Sequence, residues 1–117
     1  MTMIYHLAKQ PAWAEAQADG VYRGRPADRA DGFLHFSTAV QIADSAAIHR
    51  AGEPDLVLLA VPADGLGAAL RWEPSRSGKL FPHLYGELPL AQIAWAKPLP
   101  LGTDGRHVFP PLDEAQP

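Results

Sequence analysis

Five histidines, at positions 6, 35, 49, 83 and 107, are the side chains of this sequence able to exchange protons near neutral pH. No two are spaced i, i+2 or i, i+4, so no local metal pair is present and no metal is expected. Cysteine is absent, which excludes disulfides, thiol nucleophiles and cysteine-ligated metals together. His6, His35 and His83 each fall on a stretch that reads as strand and can converge in space. Hydrogen-bonded histidines of the core are the plain alternative.

The densest chemistry lies between Arg71 and Gly86. Arg71, Arg76, Lys79 and His83 are spaced as an anion clamp, with Trp72 or Tyr85 as a stacking surface. Pro74, Gly78 and Pro82 forbid a long helix, so the stretch reads as strand, loop and strand. Charges on a solvated loop are the competing reading. Glu73, beside Trp72 and near arginines, is either a structural ion pair or an acid/base group. Ser37 stands two residues from His35, which on a strand sets the two side by side on one face. No nucleophile elbow surrounds it, and capping of the next helix is the simpler use of Ser37 or Thr38. Gly65-Leu66-Gly67 lacks the third glycine and the following helix of a dinucleotide fingerprint.

These side chains need elements to carry them. Met3 to Ala8 reads as a strand. A helix follows, with Pro11 in its first turn, Trp13 as its anchor and Gly20 as its stop. Arg23 to Asp31 reads as a charged loop. Gly32 to Ser37 is extended, with Leu34 and Phe36 on one face and Phe33, His35 and Ser37 on the other. Thr38 with Gln41 reads as a capping box for a second helix, whose buried stripe is Val40, Ala43, Ala47 and Ile48. Leu56 to Val61 is a continuous apolar run of strand length, which marks a central strand buried on both faces. Strands are also expected at Ala69 to Glu73, Pro82 to Gly86 and Ile93 to Lys97. Two helices in the N-terminal half, followed mainly by strands, make an α+β domain over residues 1–99. Residues 100–117, rich in glycine and proline, read as a loosely ordered tail.

With 117 residues and ordinary hydrophobic content, one modest core is expected. A formal charge of −3 argues against generic nucleic-acid binding. The first residues show no secretory pattern, and the longest apolar run is too short to span a bilayer. A cytoplasmic protein without membrane association is the expectation.

Ile4-Tyr5-His6-Leu7, Gly32-Phe33-Leu34-His35-Phe36-Ser37-Thr38, Asp55-Leu56-Val57-Leu58-Leu59, Leu70-Arg71-Trp72-Glu73 and Phe81-Pro82-His83-Leu84-Tyr85-Gly86 together resemble the bacterial family known as domain of unknown function 952. The resemblance spans about Met3 to Leu99. It implies a split, mixed β-sheet similar to that of ADP-ribosyltransferases, with a cleft for NAD. In that fold a first-strand histidine holds the NAD ribose, the place taken here by His6. A later ring packs at the nicotinamide, the place taken by His35. The pair is similar to the two histidines of RNA 2′-phosphotransferases. The late-strand glutamate of many transferases has no counterpart, although Glu73 and Glu87 flank its place.

The reading that results is a small domain binding NAD or a related phosphorylated nucleotide, with transferase or phosphotransferase chemistry in view. A binding or interaction module without chemistry is the alternative. Candidate catalytic residues are His35, His83 and Glu73. Candidate cofactor-binding residues are His6, Ser37, Arg71, Trp72, Arg76 and Tyr85. Arg71 or Arg76 would meet phosphates, and the partner of His35 is sought among Glu73, His83 and Tyr85.

Overall fold

The computed structural model describes residues 2–75 and 78–112. Strand β1 (Met3–Lys9) leads into helix α1 (Gln10–Asp19), which has Pro11 in its first turn. Gly20 takes a left-handed conformation (φ 82°) and its N–H returns to the Ala16 carbonyl, ending the helix as expected. Strand β2 (Val21–Tyr22) and helix α2 (Pro26–Asp31) follow. Next come strands β3 (Leu34–His35) and β4 (Ser37–Thr38) and helix α3 (Ile42–His49). Strands β5 (Leu56–Pro62), β6 (Leu70–Pro74), β7 (Leu80–Leu84), β8 (Leu88–Pro89) and β9 (Trp95–Leu99) make up the rest, with a run of 3-10 turns at Ala63–Ala69 between β5 and β6.

The α+β class holds, with two corrections. The main sheet runs β4-β1-β5-β9, and two smaller sheets pair β2 with β8 and order β3-β7-β6. Every strand pairing among the described residues is antiparallel, so the sheets are not mixed. Among the described residues the N-terminal half holds three helices rather than two, because α2 occupies what reads as a charged loop. Pro26 starts it with its φ already suitable, and the Asp28 carboxylate accepts the Arg25 N–H at 2.6 Å. That is half of a capping box, since the Arg25 guanidinium has nothing with which to accept the reciprocal bond.

Strand β5 is central, between β1 and β9, as its unbroken apolar run requires. Its alternation supplies two cores. Val57, Leu59 and Val61 join Ile4 and Ala8 of β1 on one face, under Ala16, Tyr22, Leu34, Phe36, Leu84 and Leu88, with Trp13 packed against them. Leu56, Leu58 and Ala60 join Tyr5 and Leu7 on the other, under Ile42 and Ala46 of α3, with Phe109 and Leu112 at the margin. Beyond Pro100, an antiparallel bridge pairs Leu101 with His107, and the His107 ring donates Nε2–H to the Glu53 carbonyl at 2.8 Å.

The buried stripe of α3 differs from expectation. Ile42, Ser45 and Ala46 face inward, while Val40 and Ile48 are 72% and 56% exposed. The Thr38–Gln41 box does form, with the Thr38 N–H bonding Gln41 Oε1 at 3.0 Å and the Gln41 N–H bonding Thr38 Oγ1 at 3.3 Å. It closes a turn, however, and the helix begins only at Ile42, so the inward face falls on other residues. No helix among the described residues is long and apolar enough to cross a membrane.

Candidate functional site

A cavity of about 480 Å³ opens where β1, α2, β3, α3 and β7 meet. It lies within the size range of small-molecule sites. His6, His35, Ser37 and His83 all line it, joined by Arg25, Asp28, Asp31, Ser45, His49 and Arg50.

His6 points from β1 into the first core and is almost fully buried. Its Nδ1 lies 2.7 Å from the His35 carbonyl, which can only accept, so Nδ1 carries the hydrogen. Burial lowers its proton affinity, opposed by the Asp28 charge, and keeps the ring neutral. Its Nε2 is therefore an acceptor and takes the Tyr22 hydroxyl hydrogen at 2.8 Å. Burial likewise raises the Tyr22 pKa and keeps that phenol a donor. Both nitrogens of His6 are used within the protein. Tyr22→Phe should thus cost about 1–2 kcal/mol of stability, by stranding a buried acceptor. Urea unfolding measures it, and an unchanged midpoint would contradict the bond's role.

His35 leaves β3 on the opposite side from Leu34, as strand alternation requires. Its partners come from α2, not from the Arg71–Tyr85 stretch. Nδ1 meets Asp28 Oδ1 at 2.5 Å and Nε2 meets Asp31 Oδ2 at 2.9 Å. Two carboxylates need two donors, so the ring is an imidazolium. The bond to Asp28 is the main cause of its raised pKa, against a smaller opposing effect of burial. Asp28 also accepts the His35 backbone N–H at 3.0 Å and the Arg25 N–H. Burial alone would raise its pKa. The His35 bond, the His6 field and the two backbone donors outweigh it, and the carboxyl is pulled down to about 2. Asp28 is the organising residue of the site, and the sequence reading missed it. Proline two positions before an aspartate, at N1 and N3 of a helix, was the available signal.

His83 lines the cavity from β7, paired across the sheet with His35. Its Nδ1 lies 2.8 Å from Glu73 Oε1, which also accepts the Tyr85 hydroxyl at 2.7 Å. These two bonds, Tyr85 first, lower the Glu73 pKa. Phe33 stacks on His83 with ring centres 4.1 Å apart and lies 5.1 Å from Tyr85. His35 meets His83 edge-on at 5.7 Å.

Four of the other expected residues stand apart from the cavity lining. Arg71 sits over the Tyr85 ring at 4.7 Å, and Trp72 is exposed. Arg71, Trp72, Glu73 and Tyr85 are outside the lining, so Glu73 reaches the cavity through His83. Arg76 lies outside the described residues. Ser37 lines the cavity and bonds Ser45, Oγ to Oγ, at 3.0 Å. Among the described residues no cluster of three or more metal-ligating side chains is found.

An antiparallel sheet covered on both faces, with a histidine-lined cavity beside its first strand, defines a small α+β domain with a polar interior site. The chain belongs to the family described as "Protein of unknown function (DUF952)", whose model matches residues 7–96. The crystal structure of protein CC0527 from Caulobacter crescentus is similar, with 41% identity and a TM-score of 0.88 over 92% of this chain and 94% of that one. The solution NMR structure of CC0527 gives 42% identity and a TM-score of 0.82 over 91% of each chain. No curated protein matches.

Proposed function

We propose that the cavity binds a phosphorylated nucleotide of the NAD type, in a domain related in fold to the ADP-ribosyltransferases. The observation that carries this reading is convergence. Three histidines drawn from β1, β3 and β7 line one cavity together with two arginines. A core with no ligand to hold has no use for so many polar groups in one opening. Phe33, stacked on His83, adds an aromatic wall beside it.

The chemistry on offer belongs to the Glu73–His83 pair. Glu73 accepts from Nδ1 of His83, which leaves Nε2 as the ring nitrogen to meet a ligand. In an ADP-ribosyl transfer, Nε2 would take the proton of an acceptor hydroxyl. The acceptor oxygen would bond the ribose C1′ as the C1′–N bond breaks and nicotinamide leaves. A second reading, a binding module without chemistry, draws on the saturation of His6 and His35. Their ring nitrogens are all engaged by Tyr22, the His35 carbonyl, Asp28 and Asp31, so neither ring has a nitrogen open to a ribose hydroxyl.

Titrating the protein with NAD, ADP-ribose and a 2′-phosphorylated nucleotide, while following amide and imidazole chemical shifts, tests the binding. Shifts are expected at His35 and His83, and His83→Ala should weaken them about tenfold, a difference near 1.4 kcal/mol. Silence around the cavity at millimolar ligand would sink the proposal. Nicotinamide release, assayed on the same samples, separates the two readings.

A further inference from the structure

Arg50, at the C-terminal end of α3, could serve the helix dipole from solvent without being buried. It follows α3 directly, yet only 5% of it is exposed. Its Nη1 donates to the Leu7 carbonyl at 3.0 Å, and its Nε donates to Glu53. Its Nη2 is buried and has no hydrogen-bond partner among the described residues. Buried guanidinium N–H groups are ordinarily satisfied, so an unmet one beside a cavity points to a missing acceptor.

The surroundings fit an acceptor that is anionic. Arg50 and Arg25 both line the cavity, and the fields of both reach His6, Tyr22 and Glu53. Glu53 is shared between Arg50 and Lys9, and the two carboxylates of the lining, Asp28 and Asp31, are both engaged by the His35 ring. His6, kept neutral chiefly by burial, adds no charge of its own. Ser37 and Ser45 stand in the same lining and share one hydrogen bond, which uses one of their two hydroxyl hydrogens. Ser45 and Arg50 come from α3 and its end, His6 and Leu7 from β1, and Arg25 from the residue before α2.

We infer that the Arg50 side of the cavity is an oxyanion subsite, in which Nη2 of Arg50, the guanidinium of Arg25 and a hydroxyl of the Ser37–Ser45 pair hold a phosphate or carboxylate group of the ligand. This deepens the nucleotide reading and rests on the cavity being a ligand site. It assigns the anion to Arg50 and Arg25 in place of Arg71, which is engaged on the Tyr85 ring outside the lining. Arginine suits the task because its planar fork donates two hydrogen bonds to one oxyanion group while keeping its charge.

The test is an amide-detected NMR titration of the full chain with inorganic phosphate, acetate, adenosine and ADP-ribose. Phosphate or acetate should shift the signals of Ser37, Ser45 and Arg50, and the tighter of the two names the group recognised. Arg25→Gln should weaken that binding by about tenfold or more, with Arg50→Lys acting in the same direction. Arg25 is the variant to rely on if the change at buried Arg50 prevents folding. Adenosine or ADP-ribose shifting His35 and His83 while neither anion moves Arg50 would overturn the subsite and leave the nucleotide reading standing. Anion binding at Arg50 without any response to adenosine or ADP-ribose at His83 would keep the subsite and discard the nucleotide. Anion binding unchanged by Arg25→Gln overturns the assignment.

Discussion

Asp28→Asn should destabilise the protein by about 2–4 kcal/mol, although it replaces a single heavy atom. The wild-type carboxylate is buried and accepts from the Arg25 N–H, the His35 N–H and the His35 ring. Each carboxylate oxygen faces donors, so an amide nitrogen in either position opposes a donor to a donor. The charge that holds His35 as an imidazolium is lost as well. The pH dependence is a second signature. Asp28 has a folded pKa of about 2, below its ordinary 3.8. A depressed carboxylate contributes its full stability above the unfolded pKa and loses it as pH falls through the folded one. That contribution, about 2 kcal/mol, should therefore disappear between roughly pH 4 and pH 2. His35 has the opposite sign. Its raised pKa contributes stability below 6.5 that is lost as pH rises through the folded value. Denaturant midpoints taken across the acid range should show the Asp28 limb in the wild type and a flatter limb in Asp28→Asn. Equal slopes in the two proteins would remove Asp28 from the centre of this site.

Gly24→Ala should cost about 2–4 kcal/mol, by clash and backbone strain acting together. Gly24 has a φ of 90°, which side-chain-bearing residues adopt at a cost. A Cβ there would come 2.9 Å from the Asp28 Cβ and far inside contact distance of Leu34 Cδ2. Leu34 belongs to the first core and cannot retreat without opening it. The loop before α2 is thus pressed against both the core and the site, and no methyl fits between them. Thermal unfolding reads the loss directly. A nearly unchanged melting temperature would show that the loop can move away from Leu34, and the placement of Asp28 would then be less constrained than its contacts suggest. Gly20→Ala is the matched control. It shares the positive φ of 82° but has nothing within 4 Å of its Cβ, so the difference between the two variants isolates the clash.

Features set by near neighbours were legible in the chain. The apolar run Leu56 to Val61 announces a strand covered on both sides, because only such a strand can hide every side chain. Gly20 ends α1, and Thr38 with Gln41 closes its box, because both depend on bonds within four residues. Alternation along Leu34-His35-Phe36 is enough to turn His35 away from the core. What the sequence left open was which distant groups meet. Glu73, His83 and Tyr85, sought as partners of His35, are bonded to each other, and His35 turns instead to Asp28 and Asp31. Helix α2 is six residues long with no apolar period, so nothing in its composition distinguishes it from a loop. Its reality depends on Asp28 finding donors at Arg25 and His35. Arg50 reads locally as a cation suited to a helix end. Its burial is decided by the Leu7 carbonyl, 43 positions earlier in the chain, and by a cavity that exists only once β1, α2, α3 and β7 have come together. Local hydrogen bonds and hydrophobic period act over a few residues and are written in their order. Burial, proton affinity and unmet donors are set by whatever the fold packs alongside, and so only the tertiary structure decided them.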